Sequence, residues 1–275
     1  MEMKKILVSF IQDRSGSMNS VWQETLNGFK TYVEGLQGDQ KKDNEVEYLF
    51  SLTTFDTEID TPYLGVPIGN VKGDELAMYG PRAATALYDA VGKTLQALDD
   101  DKSITFDKAI VVIVTDGQEN SSREYSKDAL HAAIDARIKR GNWTFTYLGT
   151  QPETWDEASS LGVGVGASAT YDATNAQATY ATMAAASVNM ARGVSGQSMR
   201  FFDDNTTPMM RCAVGMKTAT DDAGDKVPVG VTATFSHAGT GIPGIPAPPP
   251  APAPRAPRPR FGRSTSQGSS NRRWK

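Results

Sequence analysis

The 275-residue chain has one cysteine, Cys212, and two histidines, His131 and His237. A single cysteine excludes an intramolecular disulfide and a cysteine-based zinc site, and it fits a reducing compartment or indifference to redox state. His131 falls within a helical stretch with no nucleophile or ligand spacing beside it, and His237 lies near the tail, so neither carries chemistry. No apolar run approaches the roughly 20 residues that span a bilayer; the longest purely aliphatic one is Ala109 to Val114. The opening MEMKKILVSFIQD passes from two lysines through a short apolar run to Gln12 and Asp13 without a small-residue cleavage site, which reads as a strand and not a signal peptide. There is no Gly-x-Ser-x-Gly elbow, no P-loop and no dinucleotide-binding glycine pattern. A soluble cytoplasmic protein with no membrane partner is the expectation.

What is present has the balance of a globular protein: 39% apolar residues, with 25 glycines in addition. The net charge of −4 conceals a division. Residues 243 to 275 carry Arg255, Arg258, Arg260, Arg263, Arg272, Arg273 and Lys275 and no acid, a charge of +7 that leaves a body of net −11. Nine prolines between Pro243 and Pro259, followed by a Gly/Ser/Arg/Asn end, mark 243–275 as a polyproline-prone, disordered basic tail with no packed core. Residues 193–242 have mixed composition and turn signals at Asp203-Asp204-Asn205 and Asp221 to Gly224, and their pattern assigns no fold.

From residue 4 to residue 192 strands alternate with helices. Lys5 to Ile11 is a β-branched apolar run, and Ser20 to Leu36 repeats apolar residues at three- and four-residue steps. Val46 to Phe55 and Glu58 to Val66 read as strands joined through Asp56-Thr57, and helical periodicity returns from Ala86 to Leu98. Ala109 to Val114 is continuously apolar, as in a parallel strand covered on both faces, and is expected at the centre of the sheet. Helix Ser126 to Arg140, strand Trp143 to Leu148, a short helix from Pro152 to Leu161, an edge strand at Val163 to Val165 and an alanine-rich helix from Asn175 to Arg192 complete the series. Trp143, Phe145 and Tyr147 alternate and belong to one buried strand face. The fold class is therefore α/β, a doubly wound and mostly parallel central sheet with helices on both faces, whose sites lie at the carboxyl ends of the strands.

Two polar loops occupy such ends. In Asp13-Arg14-Ser15-Gly16-Ser17-Met18 a carboxylate and two hydroxyls alternate around a glycine, so a tight turn can aim three oxygens at one point. That set suits a hard cation such as Mg²⁺; the same residue types also build an ordinary helix N-cap turn. Thr115-Asp116-Gly117 follows the central strand, beside the end of the first, so Asp116 can approach Asp13. Two converging carboxylates repel unless a cation offsets them. Thr85 opens the next helix and can serve as a further ligand or as that helix's cap. Asp56 reads as a hairpin turn residue, and Glu119 and Asn120 lie near enough to Asp116 to reach an ion through water.

These three motifs, in this order, resemble the von Willebrand factor type A (VWA) domain with its metal ion-dependent adhesion site (MIDAS). The resemblance covers residues 4 to 192 and is greatest to intracellular bacterial and phage members with Asp-Arg-Ser-Gly-Ser-Met and Thr-Asp-Gly-Gln-Glu-Asn-Ser-Ser-like segments. It implies a Mg²⁺ or Mn²⁺ ion at Asp13, Ser15, Ser17, Thr85 and Asp116, with an open coordination position that accepts an Asp or Glu side chain of a protein partner, and no catalysis. Many relatives have a glycine pair before the threonine where this chain has Ala83 and Ala84, which makes that loop stiffer. Two other functions compete. A metal-assisted phosphatase-like hydrolase also places Asp after a first strand, but Ser15 stands where its acid/base aspartate belongs. The basic tail, with Trp274, suits nucleic acid or an acidic partner held by counterion release.

Overall fold

The computed structural model describes residues 3–42, 45–116, 118–150, 154–164, 167–171, 174–193, 218–220 and 226–228. The first strand, β1 (Lys4–Asp13), lies between β2 (Val46–Phe55) and β4 (Lys108–Val114), parallel to both. The β3 strand (Ile59–Pro67) pairs antiparallel outside β2 through the Asp56–Glu58 turn, while β5 (Trp143–Gly149) and β6 (Ser168–Thr170) extend the sheet in parallel beyond β4. The strand order β3-β2-β1-β4-β5-β6 puts β1 and β4 in the middle, as the unbroken apolar run of β4 requires.

Helices α1 (Trp22–Gln40) and α5 (Ala176–Ala191) cover one face. Phe10 of β1 meets Phe29 and Tyr32 of α1 at 5.3 Å between ring centroids, and stacks at 6.5 Å on Tyr180 of α5. The two helices approach closely because α1 has Gly28 there: a Cβ at that position would lie 2.3 Å from the Tyr180 ring. The other face is covered by α2 (Leu87–Asp100) and α3 (Lys127–Ile138). There Thr94 of α2 donates to Thr53 of β2 at 2.9 Å, and the Arg137 guanidinium of α3 lies over the Trp143 ring at 5.5 Å. Trp143, Phe145 and Tyr147 are buried on this face, Trp143 and Phe145 stacked at 6.1 Å. Short α4 (Thr154–Ser160) completes the layer.

The edge strand differs from the sequence expectation. Val163 is not in it; β6 forms five residues later, pairing Ser168 with Tyr147. Gly162, at φ +84, ends α4 in a Schellman cap in which Gly162 N–H bonds Ser159 O at 3.0 Å and Val163 N–H bonds Ala158 O at 2.9 Å. The N–H that a strand at Val163 needs is thus spent on the helix end. Pro152 lies outside the described residues, as do 243–275 and most of 193–242; within the latter, β7 (Thr218–Thr220) and β8 (Lys226–Pro228) pair antiparallel. Among the described residues no helix is long and apolar enough to cross a membrane.

Candidate metal centre

The carboxyl ends of the two central strands deliver the two acids. Asp13 is the last residue of β1 and fully buried; Asp116 follows β4 by one residue beyond Thr115. Asp13 Oδ1 accepts from the Ser15 N–H at 2.6 Å, which folds the chain back at Gly16 into a single 3-10 turn, Gly16–Ser20. Asp13 Oδ2 accepts from the Thr115 hydroxyl at 2.6 Å, a bond across 102 residues that aligns the two strand ends. The hydroxyls of Ser15 and Ser17 are 2.9 Å apart, and Ser17 Oγ donates to Asp116 Oδ1 at 2.7 Å. Ser15 occupies the N-cap position of the turn but makes no side-chain cap bond. Both serine hydroxyls therefore point at the acids of the two loops and not at a helix end, which decides against the plain N-cap reading.

Burial makes the pair electrostatically costly. Desolvation raises the Asp13 carboxyl from 3.8 to about 6, against the hydrogen bonds from Thr115 and Ser15, with the nearby Asp116 charge pushing the same way. Asp116 is raised as well, again chiefly by burial and against its bond from Ser17. The donors are all oxygen and only two are carboxylates. Among the described residues no group of three or more His, Cys, Asp or Glu side chains is arranged to hold a metal ion, so at this cluster hydroxyls would have to complete the set. Such a set fits a hard divalent cation that keeps part of its water shell.

Thr85 sits on the loop that links the two acidic ones. On one side Gly16 N–H bonds Ala83 O at 3.1 Å and Arg82 N–H bonds Arg14 O at 2.9 Å. On the other, Thr85 N–H donates to Asn120 Oδ1 at 2.9 Å while Thr85 O accepts from the N–H groups of Asn120 and Ser121, each at 3.1 Å. Its hydroxyl does not cap α2. That role falls to Glu119, which accepts from Tyr88 N–H at 3.0 Å, and to Ser122, whose Oγ accepts from Asp89 N–H at 3.0 Å. Both Glu119 oxygens are filled, since they also accept from Ser121, Ser122 N–H and Ser122 Oγ. Glu119 and Asn120 thus brace the Thr85 and Asp116 loops instead of facing an ion. Ala83 has φ +57, the left-handed conformation that a glycine adopts without strain.

Several contributors have no local signature. The Thr115 hydroxyl orients Asp13, and Asp89 accepts from the N–H groups of Arg123, Glu124 and Tyr125 at 2.8 to 2.9 Å, fastening the far side of the Asp116 loop to α2. Burial works against the Asp89 charge, but these three donors hold its carboxyl below the ordinary value. The only cue to this role is an acid in the first turn of α2, where the helix dipole favours one. His131 Nδ1 lies 2.9 Å from Ser160 O and ties α3 to the end of α4.

No protein-family model and no curated protein sequence matches the chain. Solved structures do match. The von Willebrand factor domain of the type V pili tip protein Mfa5 from Porphyromonas gingivalis is 10% identical with a TM-score of 0.52, over 71% of this chain and 98% of that one. The pilus adhesin SpaC from Lactobacillus rhamnosus GG is 15% identical with a TM-score of 0.53, over 70% of this chain and 31% of that one. Proximal thread matrix protein 1 from the mussel byssus is 14% identical with a TM-score of 0.50, over 69% of this chain and 46% of that one. The chain thus spans less than half the length of the Lactobacillus and mussel proteins. The fold that carries the Asp13–Asp116 cluster is a von Willebrand factor type A-like α/β sandwich.

Proposed function

We propose that this chain is a divalent-metal-dependent protein-binding module, in which Mg²⁺ or Mn²⁺ held by Asp13, Ser15, Ser17, Thr85 and Asp116 captures an Asp or Glu side chain of a partner protein. The observation that carries the reading is the hydrogen-bonded chain from Ser15 through Ser17 to Asp116, beside the buried Asp13 carboxyl. It gathers oxygens from two loops about a hundred residues apart into a site with more negative charge than its burial tolerates. A bound ion supplies the compensating charge and a Lewis-acidic position for an incoming carboxylate. One structural neighbour is a pilus adhesin and another a domain of a pilus tip protein, which supports capture over turnover.

A hydrolase is the weaker reading. Ser15, at the position of a phosphatase's acid/base, is occupied with Ser17, and His131 is committed elsewhere. A cytoplasmic setting and kinship with the intracellular bacterial and phage members are part of the proposal; cell fractionation checks the first. The central test is calorimetric titration with Mg²⁺ and Mn²⁺. The wild type binds one ion per chain, and Asp13→Ala and Asp116→Ala bind none while remaining folded. Stoichiometric binding by both variants refutes the reading. An affinity capture with wild type and Asp116→Ala, each with Mg²⁺ or chelator, then ties any partner to the ion.

A further inference from the structure

Asp56, at the turn between β2 and β3, has no exposed surface, yet it belongs to none of the motifs that suggest the ion site. Its carboxylate is surrounded by donors. Oδ1 accepts from Glu58 N–H at 2.6 Å; Oδ2 accepts from Arg82 Nε at 2.7 Å and faces Arg14 Nε at 3.3 Å. Two guanidiniums thus already offset this carboxylate's charge, so nothing about it calls for an ion. The two arginines come from the two loops that flank the centre. Arg14 follows Asp13 directly and is buried, with its terminal nitrogen 2.6 Å from Asp60 and its guanidinium 5.0 Å from the Tyr79 ring centroid. Arg82 stands three residues before Thr85 and also reaches Glu58.

The main chain repeats the same junction. Arg14 N–H bonds Phe55 O at 2.7 Å, Ala86 N–H bonds Asp56 O at 3.0 Å, and Arg82 N–H bonds Arg14 O at 2.9 Å. Three irregular segments, each set by little local propensity, thus meet at one buried carboxylate. Ligands on such loops are held to the tolerance an ion demands only if something behind them is fixed.

We propose that Asp56 is a positioning residue of the ion site: by holding Arg14 and Arg82 together, it sets the loop bearing Asp13, Ser15 and Ser17 against the loop bearing Thr85. This rests on the ion-binding reading above. It also accounts for an arginine next to a metal-ligating aspartate, since Asp56 draws that cation to the far side of the loop, away from the acids that must meet the ion.

Asp56→Asn is the decisive variant. The amide still accepts from Glu58 N–H, while Arg14 keeps Asp60 and Arg82 keeps Glu58, so neither guanidinium is left without a carboxylate and the chain is expected to fold. The readout is Mn²⁺ affinity of the full chain from the free-ion signal in electron paramagnetic resonance, with far-ultraviolet circular dichroism and thermal unfolding in chelator reporting the fold. Loss of an outer-shell partner weakens metal binding about 10- to 100-fold, and that range is expected for Asp56→Asn. Glu58→Gln, which removes only the exposed arm of the network, stays within about fivefold, the most an exposed ion pair of this kind contributes. A folded Asp56→Asn that binds Mn²⁺ like wild type overturns the inference and leaves the ion reading intact; a wild type that binds no Mn²⁺ overturns both. Should Asp56→Asn fail to fold, Arg82→Gln takes its place, because Arg82 is half exposed. It is expected to lose affinity and Arg82→Lys to recover part of it; an Arg82→Gln with wild-type affinity overturns the inference.

Discussion

Replacing Asp13 with asparagine gives the centre's most discriminating perturbation, because it removes the charge and almost nothing else. Asp13 is fully buried, with Ser15 N–H on one oxygen and the Thr115 hydroxyl on the other. An asparagine keeps the first bond, and the Thr115 hydroxyl can turn to accept from the new amide. The carboxyl is raised from 3.8 to about 6 in the fold. At about 1.4 kcal/mol for each tenfold change in proton affinity, ionising it in the ion-free protein costs about 3 kcal/mol relative to the unfolded chain. Because the folded state holds the proton more tightly, wild type and Asp13→Asn are equally stable below pH 3.8. The wild type loses stability as pH rises toward 6, and the gap stays at about 3 kcal/mol above that. For a chain of this size the gap corresponds to roughly 6 to 12 °C in Tm. Thermal unfolding of both proteins in chelator at several pH values isolates the term, since titrating groups that do not interact with Asp13 cancel in the difference and the Asp116 coupling is a smaller part of it. On the proposed ion binding, Mg²⁺ should stabilise the wild type and not the variant, narrowing or reversing the gap. An asparagine variant that is less stable than wild type in chelator at pH 7.5, or a difference that does not change with pH, refutes the reasoning.

Three further outcomes follow from other parts of the structure. In the proposed binding mode protons and ion compete for Asp13, so Mn²⁺ affinity, followed by calorimetry at pH 5, 6 and 7, should fall about tenfold per pH unit below pH 6 and level off above it. Gly28→Ala forces a methyl to 2.3 Å from the Tyr180 ring and should cost about 1–3 kcal/mol in urea unfolding. The control Gly38→Ala, also in α1 but with open space around it, should stabilise by up to about 1 kcal/mol; equal effects would contradict the close α1–α5 contact. Ala83→Gly relieves the left-handed backbone at φ +57 and should leave stability unchanged or raise it by up to about 1 kcal/mol. Ala84→Gly, at a position without positive φ, should lower it, and the opposite order in thermal unfolding would dismiss the strain.

Much of the architecture was legible because it is written in local periodicity. The continuous apolar run from Ala109 to Val114 announced a strand buried on both faces, and it lies at the centre beside β1. Val163 misled because a β-branched residue between glycines looks like a short strand, whereas its N–H belongs to the Schellman cap at Gly162. Alternating oxygens at Asp13, Ser15 and Ser17 marked one loop and the rule that sites form at strand ends marked that of Asp116; the structure brings the two loops together through Ser17 and Asp116. The role of Glu119 was not legible for a different reason: a carboxylate three residues from Asp116 has the same sequence whether it faces an ion or caps the next helix.

By itself, then, the sequence determined the α/β alternation, the two acidic loops and the charge division between body and tail, since each depends on residues near one another in the chain. Only the tertiary structure decided that Thr115 reaches Asp13 across 102 residues, that Ser17 reaches Asp116 across 99, and that Asp56 gathers Arg14 and Arg82. Those contacts are set by strand order and loop closure, which bring together polar groups whose own neighbours carry no trace of the partner.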